Sequence, residues 1–443
     1  MNQLKNIKEV LMSNFAKSVL LIAGGTAFAQ LLNTFMVPII TRIYSPKEYG
    51  ILTVYTAILM MLGVIGSLKY EWGIAIADND EKAINVLMLS MIVLLAVVGI
   101  ITLIFIFFGK AFLDLIGGEV LFKYRFLIPL GILFTGLYDI FTQWAIRKKN
   151  FKSISKTKLS QSMAQNIIQV GFGLFNLGPI TLILGRIFGQ SAGITTLSIP
   201  FVKNDRALLE KINKKEIAWC AKRYIRFPLF SALSQFLNTA SIQLPVLFII
   251  SLYGSQVIGF YGLANGVINL PTVLVGTSVG DVFYGEAASI GRTDPERLKA
   301  LSTKLFRKLI IIGLVPLITL VLFGPFIFSL VFGQGWSEAG IYARIISFSV
   351  FTRLIFIPIS RIYSVFERQK EALFLDALRV VLVLIVFSIS KLISLNQYWA
   401  VGYYTIAISI VYLITFLWAQ KIMNDEIIKH IINKIGKGEI DIK

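Results

Sequence analysis

The sequence predicts an all-α integral membrane protein of about twelve transmembrane helices, in two six-helix lobes related by a parallel internal repeat. Three observations predict it. Apolar runs about twenty residues long recur throughout the 443-residue chain, the length a helix needs to cross a hydrocarbon core of roughly 30 Å. Lys and Arg gather in every second gap between those runs, and a phrase in the first run returns in the seventh. The runs are continuously apolar rather than alternating, so they read as helices and not as barrel strands.

In order, the spans read as 19–41, 51–68, 84–108, 127–146, 159–177 and 179–201. The second half reads as 227–251, 257–284, 309–332, 341–363, 372–393 and 398–419. The first run lacks a small-residue cleavage site and exceeds signal-peptide length, so it is expected to remain as a span. The expected domains are an N-terminal lobe at 1–202, a linker at 203–226, a C-terminal lobe at 227–421 and a tail at 422–443.

The loops give the orientation. Lys5, Lys8 and Lys17 precede the first span, and Lys69 and Lys82 follow the second. Six basic residues lie between Arg147 and Lys158, eight between Lys203 and Arg226, and six between Arg292 and Lys308. Arg368 and Lys370 follow the tenth span. The intervening gaps carry little: Arg42 and Lys47, then Lys110, Lys123 and Arg125, then none at 176–179 or 252–256. By the positive-inside rule both termini are expected in the cytoplasm, which agrees with an even number of spans.

Composition excludes several functions. A hydrophobic fraction of 56% and a mean hydropathy of +0.76 are far from those of a soluble domain. The net charge of +19 would suggest nucleic acid in a soluble protein; here it fits basic loops beside anionic lipid, so no nucleic-acid partner is expected. Cys220 is the only cysteine and His430 the only histidine. That argues against a disulfide, a metal site or a Ser/His or Cys/His catalytic pair, and no catalytic residue is assigned.

Three segments read as amphipathic surface helices that anchor in the interface. In the tail Ile427, Ile428, Ile431, Ile432 and Ile435 oppose Lys429, Lys434 and Lys437. Leu4, Ile7, Val10 and Leu11 form a second apolar face, and Leu208, Leu209, Ile212 and Ile217 a third.

In the repeat, Gln30-Leu31-Leu32-Asn33-Thr34 leads to Pro38, and Gln235-Phe236-Leu237-Asn238-Thr239 leads to Pro245. Tyr44 precedes Gly50 by the interval that separates Tyr253 from Gly259. Six spans separate the copies, so the halves point the same way, a transporter plan with the substrate site between the halves. Pro38 and Pro245 are expected to kink their helices as hinges. Gln30, Asn33, Gln235 and Asn238 either glue helices together or line a wet cavity. Gln190 and Asn265 are placed in the same polar lining.

Arg186 and Arg353 stand deep in the sixth and tenth spans, where a central Arg costs roughly 2.5–3.5 kcal/mol on the insertion scale. They face either an aqueous cavity or a buried acid, Asp139 or Asp376. One Arg from each half suggests a cationic chamber, since a guanidinium fork suits phosphate or carboxylate. Arg42 is grouped with them as a substrate ligand. Gly185 and Gly189 permit close helix approach beside Arg186. Asp376 and Arg379, one turn apart, read as a self-neutralising pair. Asp139 and Asp281 are candidates for ion coupling.

Several phrases carry a family resemblance. They include Tyr44-Ser45-Pro46-Lys47-Glu48-Tyr49-Gly50, Tyr70-Glu71, Ala75-Ile76, the 78–83 stretch and Leu184-Gly185-Arg186-Ile187-Phe188-Gly189-Gln190. In the second half they are Gly259-Phe260-Tyr261-Gly262-Leu263-Ala264, Pro271, Val279-Gly280-Asp281-Val282-Phe283-Tyr284, the 332–340 stretch and Pro358-Ile359-Ser360. In order and spacing they resemble the polysaccharide-biosynthesis flippases. This is the O-antigen and lipid-linked oligosaccharide branch of the multidrug/oligosaccharidyl-lipid/polysaccharide exporter superfamily. Asp281 departs from that pattern, which tends to carry an amide there.

The resemblance implies a transporter rather than an enzyme, with no cofactor beyond a proton or sodium gradient. It implies a glycan linked by diphosphate to a polyprenol such as undecaprenol, turned to the outer leaflet of a bacterial cytoplasmic (inner) membrane by alternating access. Membrane lipids, glycosyltransferases and a polysaccharide polymerase are the implied partners, and the chain is expected to be a monomer. The alternatives are a multidrug antiporter of the same fold and a polytopic polymerase or ligase. The deep charges are basic where cationic drugs would call for acids, and no outward loop is long enough to form a catalytic domain.

Overall fold

The computed structural model describes residues 14–270, 272, 276–290 and 294–436, and every regular element among them is helical. The first half contains α1 (Asn14–Ile43), α2 (Pro46–Gly63), α3 (Asp80–Phe107), α4 (Leu127–Arg147), α5 (Phe151–Gly173) and α6 (Ile180–Asn204). The second contains α7 (Leu233–Ile268), α8 (Thr277–Ile290), α9 (Pro295–Phe332), α10 (Ser337–Phe356), α11 (Gln369–Leu392) and α12 (Gln397–Gly436). Among the described residues, eight stretches are long and apolar enough to cross a membrane. The stretch at Phe227–Ile268 merges the seventh expected span with the start of the eighth. The two meet at Gly254, whose φ of 84° and ψ of 177° break the helix inside the expected 252–256 turn.

Local chemistry sets the helix starts. Ser45 and Glu48 form a reciprocal capping box ahead of Pro46, with the Ser45 N–H donating to Glu48 Oε2 at 2.8 Å. Asn79 caps α3 by accepting from the Lys82 N–H at 2.8 Å, and Asp294 caps α9 from Arg297 at 3.0 Å.

Two compact units result, Met1–Gly259 and Phe260–Lys443. The division falls at Gly259 rather than in the 203–226 linker. A close backbone approach explains why residues 255–259 group with the first unit. A Cβ on Gly50 would collide with the Ser255 carbonyl, and one on Gly259 with the Pro46 carbonyl. These are the glycines that the repeat aligns, and each meets the residue four positions before the other.

Within the first unit α5 packs on α6 and α1. Gly185, Gly189 and Gly193 lie one turn apart on α6, and a Cβ on any of them would press on Gln169, Gln165 or Gln161 of α5. The small residues thus bring two helices close enough for their polar groups to meet. Tyr44 closes one end, its hydroxyl donating to the Gln169 carbonyl at 2.7 Å.

At the end of the unit that carries the basic loops, Arg147 Nε and Lys148 Nζ reach Asp80 at 2.8 and 2.7 Å. Lys148 also reaches Asp205 at 2.9 Å. Bonds from Lys148 and Arg147 hold the Asp80 carboxyl below the usual carboxylate range. These basic residues are therefore spent on joining loops.

In the second unit α9 packs on α10, and α10 and α11 on α12. Phe306, Phe356 and Phe416 stack with centroids 4.8–6.1 Å apart.

Two surface-helix expectations are corrected. Ile427–Ile432 continue the last span inside α12, a 40-residue helix about 60 Å long, because no Gly or Pro interrupts 403–435. Leu208, Leu209, Ile212 and Ile217 do not share one helix. Residues Arg206–Lys211 form a 3-10 turn, Ile212 is extended, and a new helix runs Lys214–Arg223. Asn85 enforces the break, donating to the Lys211 carbonyl at 3.2 Å and accepting from the Asn213 N–H at 2.9 Å. The expected anchor at residues 4–11 lies outside the described residues.

Candidate functional site

The polar face of α5 builds the site. Lys158, Gln161, Ser162, Gln165, Asn166 and Gln169 recur every three or four residues, so they form one helical stripe. Facing it are Thr26, Gln30 and Asn33 of α1, also on one stripe, and Arg186 and Gln190 of α6. Lys158, Gln161, Ser162 and Gln165 of the stripe, with these facing residues, line a cavity of about 240 Å³ inside the first unit; Asn166 and Gln169 continue the stripe beyond it. From Lys158 to Gln165 the cavity follows α5 for about 10 Å.

Most of these polar groups are already matched. Asn33 Oδ1 accepts from Ser162 Oγ and from Asn166 Nδ2, each at 2.7 Å. Gln161 Nε2 donates to Gln190 Oε1 at 2.7 Å. Such a satisfied network fixes the wall geometry.

Arg186 is poorly matched. Its Nη1 makes one long bond, 3.4 Å to Gln165 Oε1, while its buried Nε has no partner among the described residues. Lys158, the second cation of the lining, sits 5.1 Å from the Tyr138 ring centroid. The described lining residues include two cations and no carboxylate. At an effective dielectric of 20, a unit charge 4 Å from a cation gains about 4 kcal/mol, against about 1 in bulk water. The pocket is therefore suited to an anion. Arg186 is an underused fork of donors, of the kind that grips phosphate oxygens.

In the second unit Arg353 Nη1 donates to Asn269 Oδ1 at 3.4 Å, and Asn269 Nδ2 donates to Asn265 Oδ1 at 2.7 Å. Each deep arginine thus rests on an amide rather than on an acid. Asp376 pairs with Arg379 at 3.2 Å.

The structure gathers Arg186, Gln30, Asn33 and Gln190 in one cavity, and joins Arg353 to Asn265 through Asn269. It does not bring in Arg42, whose exposed Nη1 folds back on the Pro38 carbonyl at 2.9 Å. Gln235 and Asn238 line no described cavity; the Asn238 carbonyl accepts from Ser241 at 2.7 Å. Pro38 and Pro245 lie inside α1 and α7, and the non-helical residue of α7 is Gly254. Asp139 lies on α4 with no side-chain hydrogen bond or ion pair among the described residues, and Asp281 lies on α8. Sequence reasoning missed Lys158, Gln161, Ser162, Gln165, Asn166 and Gln169. Their three-to-four-residue spacing was the available signal.

The fold defines a polytopic helical membrane protein. Comparison with solved structures agrees. An inward-facing multidrug resistance MATE family transporter of the MOP superfamily is 14% identical with a TM-score of 0.73, over 90% of this chain and 95% of that one. The lipid II flippase MurJ, in an inward closed conformation, is 15% identical with a TM-score of 0.70, over 96% and 94%. A MOP superfamily transporter from Pyrococcus furiosus is 15% identical with a TM-score of 0.60, over 94% and 98%. It is described as having a binding pocket of reverse polarity that suggests a different function. No curated protein matches the sequence. The chain belongs to the polysaccharide biosynthesis protein family, whose profile matches residues 39–341.

Proposed function

We propose that the chain is a flippase, not an enzyme, that carries a polyprenyl-diphosphate-linked oligosaccharide to the outer leaflet of a bacterial cytoplasmic membrane. Both termini lie in the cytoplasm, and the movement proceeds by alternating access. The product feeds surface polysaccharide assembly. One observation carries this reading: the amide-walled cavity offers Arg186 and Lys158 without a carboxylate among its described lining residues.

A diphosphate is the anionic part of a lipid-linked glycan, and it matches that charge. The amides suit the sugar hydroxyls, while a prenyl tail stays in lipid. Family membership and the likeness to a lipid II flippase support the same class of cargo. A multidrug antiporter working on cations would need acids where this lining has bases.

A strain deleted for this protein tests the proposal. Prenyl-diphosphate oligosaccharide should build up on the inner leaflet, and the wild-type gene should clear it. Arg186→Ala, present in the membrane at matched levels, should restore little surface glycan. Full export by that variant would reject the site, and no build-up in the deletion strain would reject the function.

A further inference from the structure

A second basic cluster lies in the second unit, where the start of α9 meets the end of α12. Lys299, Lys304, Arg307 and Lys308 line a groove of about 670 Å³, with Ile311 deeper along α9 and Ile427 contributed by α12. Among the described residues none of the four cationic side chains has a hydrogen-bond or ion-pair partner, unlike Arg147 and Lys148, which are paired with Asp80 and Asp205. Glu296 is the acid of the groove, and it stands in the first turn of α9, where it answers the helix dipole. The groove therefore keeps a net excess of three positive charges.

Its position selects the ligand. Lys308 directly precedes the expected span at 309–332, and Ile311, less than one turn further in, is 68% exposed. The groove thus straddles the edge of the hydrocarbon layer, with cations at headgroup depth and apolar side chains below them. A soluble anion, an acidic peptide or a nucleic acid would meet the cations but leave the apolar end unused.

The strip is also long. Lys299 to Lys308 covers about 13 Å of helix, more than one phosphate can bridge. A diphosphate, whose two phosphorus atoms share an oxygen, is equally too short.

We propose that this groove binds an anionic phospholipid with two separated phosphates, of the cardiolipin class. One phosphate lies near Lys299 and the other near Arg307 and Lys308, with acyl chains running past Ile311. Basic pockets at the membrane edge between helices hold such headgroups. The site is separate from the cavity around Arg186, and the proposal does not depend on the transported cargo.

The test uses the purified, delipidated full chain, with cardiolipin, phosphatidylglycerol or undecaprenyl diphosphate added singly or in competition and read by native mass spectrometry. Wild type should hold cardiolipin about tenfold more tightly than phosphatidylglycerol. The variant Lys304→Gln/Arg307→Gln/Lys308→Gln changes exposed side chains, so it should fold and lose that preference. A charge-matched control, Lys214→Gln/Lys215→Gln/Lys222→Gln, should keep it. Undiminished preference in the first variant, equal loss in the control, or displacement of cardiolipin by equimolar undecaprenyl diphosphate would each overturn the proposal.

Discussion

Replacing Arg186 by Met should make the protein more stable and less active at once. In the folded chain this guanidinium has a single bond, at 3.4 Å, and a buried Nε with no partner among the described residues. The bond is long enough to contribute at most about 1 kcal/mol. Against that stands the penalty of holding a charge away from bulk water with little compensation. Exchanging such a group for an apolar one of similar volume is often neutral or stabilising by about 1–4 kcal/mol. We therefore expect R186M to gain about 1–3 kcal/mol, seen as a higher midpoint of thermal unfolding in detergent, while glycan export falls. If Arg186 instead clamped α5 to α6, its loss would leave a gap and an unpaired Gln165. R186M would then unfold earlier than wild type, and the reasoning would be refuted.

Three more outcomes follow from the geometry. Asn33→Leu should destabilise the first unit by about 1–2 kcal/mol in thermal unfolding, and not more, because both lost donors keep a partner. Ser162 Oγ still reaches the Ala29 carbonyl at 3.2 Å, and Asn166 Nδ2 still reaches the Ser162 carbonyl at 2.8 Å. Gly259→Ala should cost about 1–3 kcal/mol, since its Cβ would meet the Pro46 backbone, which cannot swing aside like a side chain; an unchanged melting curve would contradict this. Burial pushes the Cys220 thiol up to about 11 and leaves it fully covered, so maleimide labelling of the folded protein should be negligible at pH 7.5. Labelling should become fast only on denaturation, and raising the pH to 9 should change the folded rate little because the thiolate still lies beyond reach.

The fold was legible because bilayer thickness imposes one length on every span, and Leu, Ile, Val and Phe runs of that length have no other use. Boundaries were harder. Gly254 marks the break after the seventh span where the loop pattern put it, but the continuation of α12 past Ala419 depends on the absence of any breaker, which hydropathy ignores.

The site was half legible. Arg186 stands out because a charge in an apolar run demands an explanation. Gln30 and Asn33 stand out because the repeat marks them. The α5 stripe stayed hidden because its helix is hardly hydrophobic overall, so no apolar face stands out against which a polar one could be read. Arg42 failed for a different reason. Sequence gives its depth but not its direction, and the Pro38 carbonyl one turn back on the same helix, which also accepts from Thr41 Oγ1, holds the side chain.

The most direct measurement is the affinity of the purified protein for a short-chain prenyl-diphosphate disaccharide, compared between wild type, Arg186→Gln and Arg42→Gln. Losing one or two charge-assisted bonds should weaken binding by R186Q about 10- to 100-fold, while R42Q binds as wild type does. Equal affinities for wild type and R186Q would contradict the account.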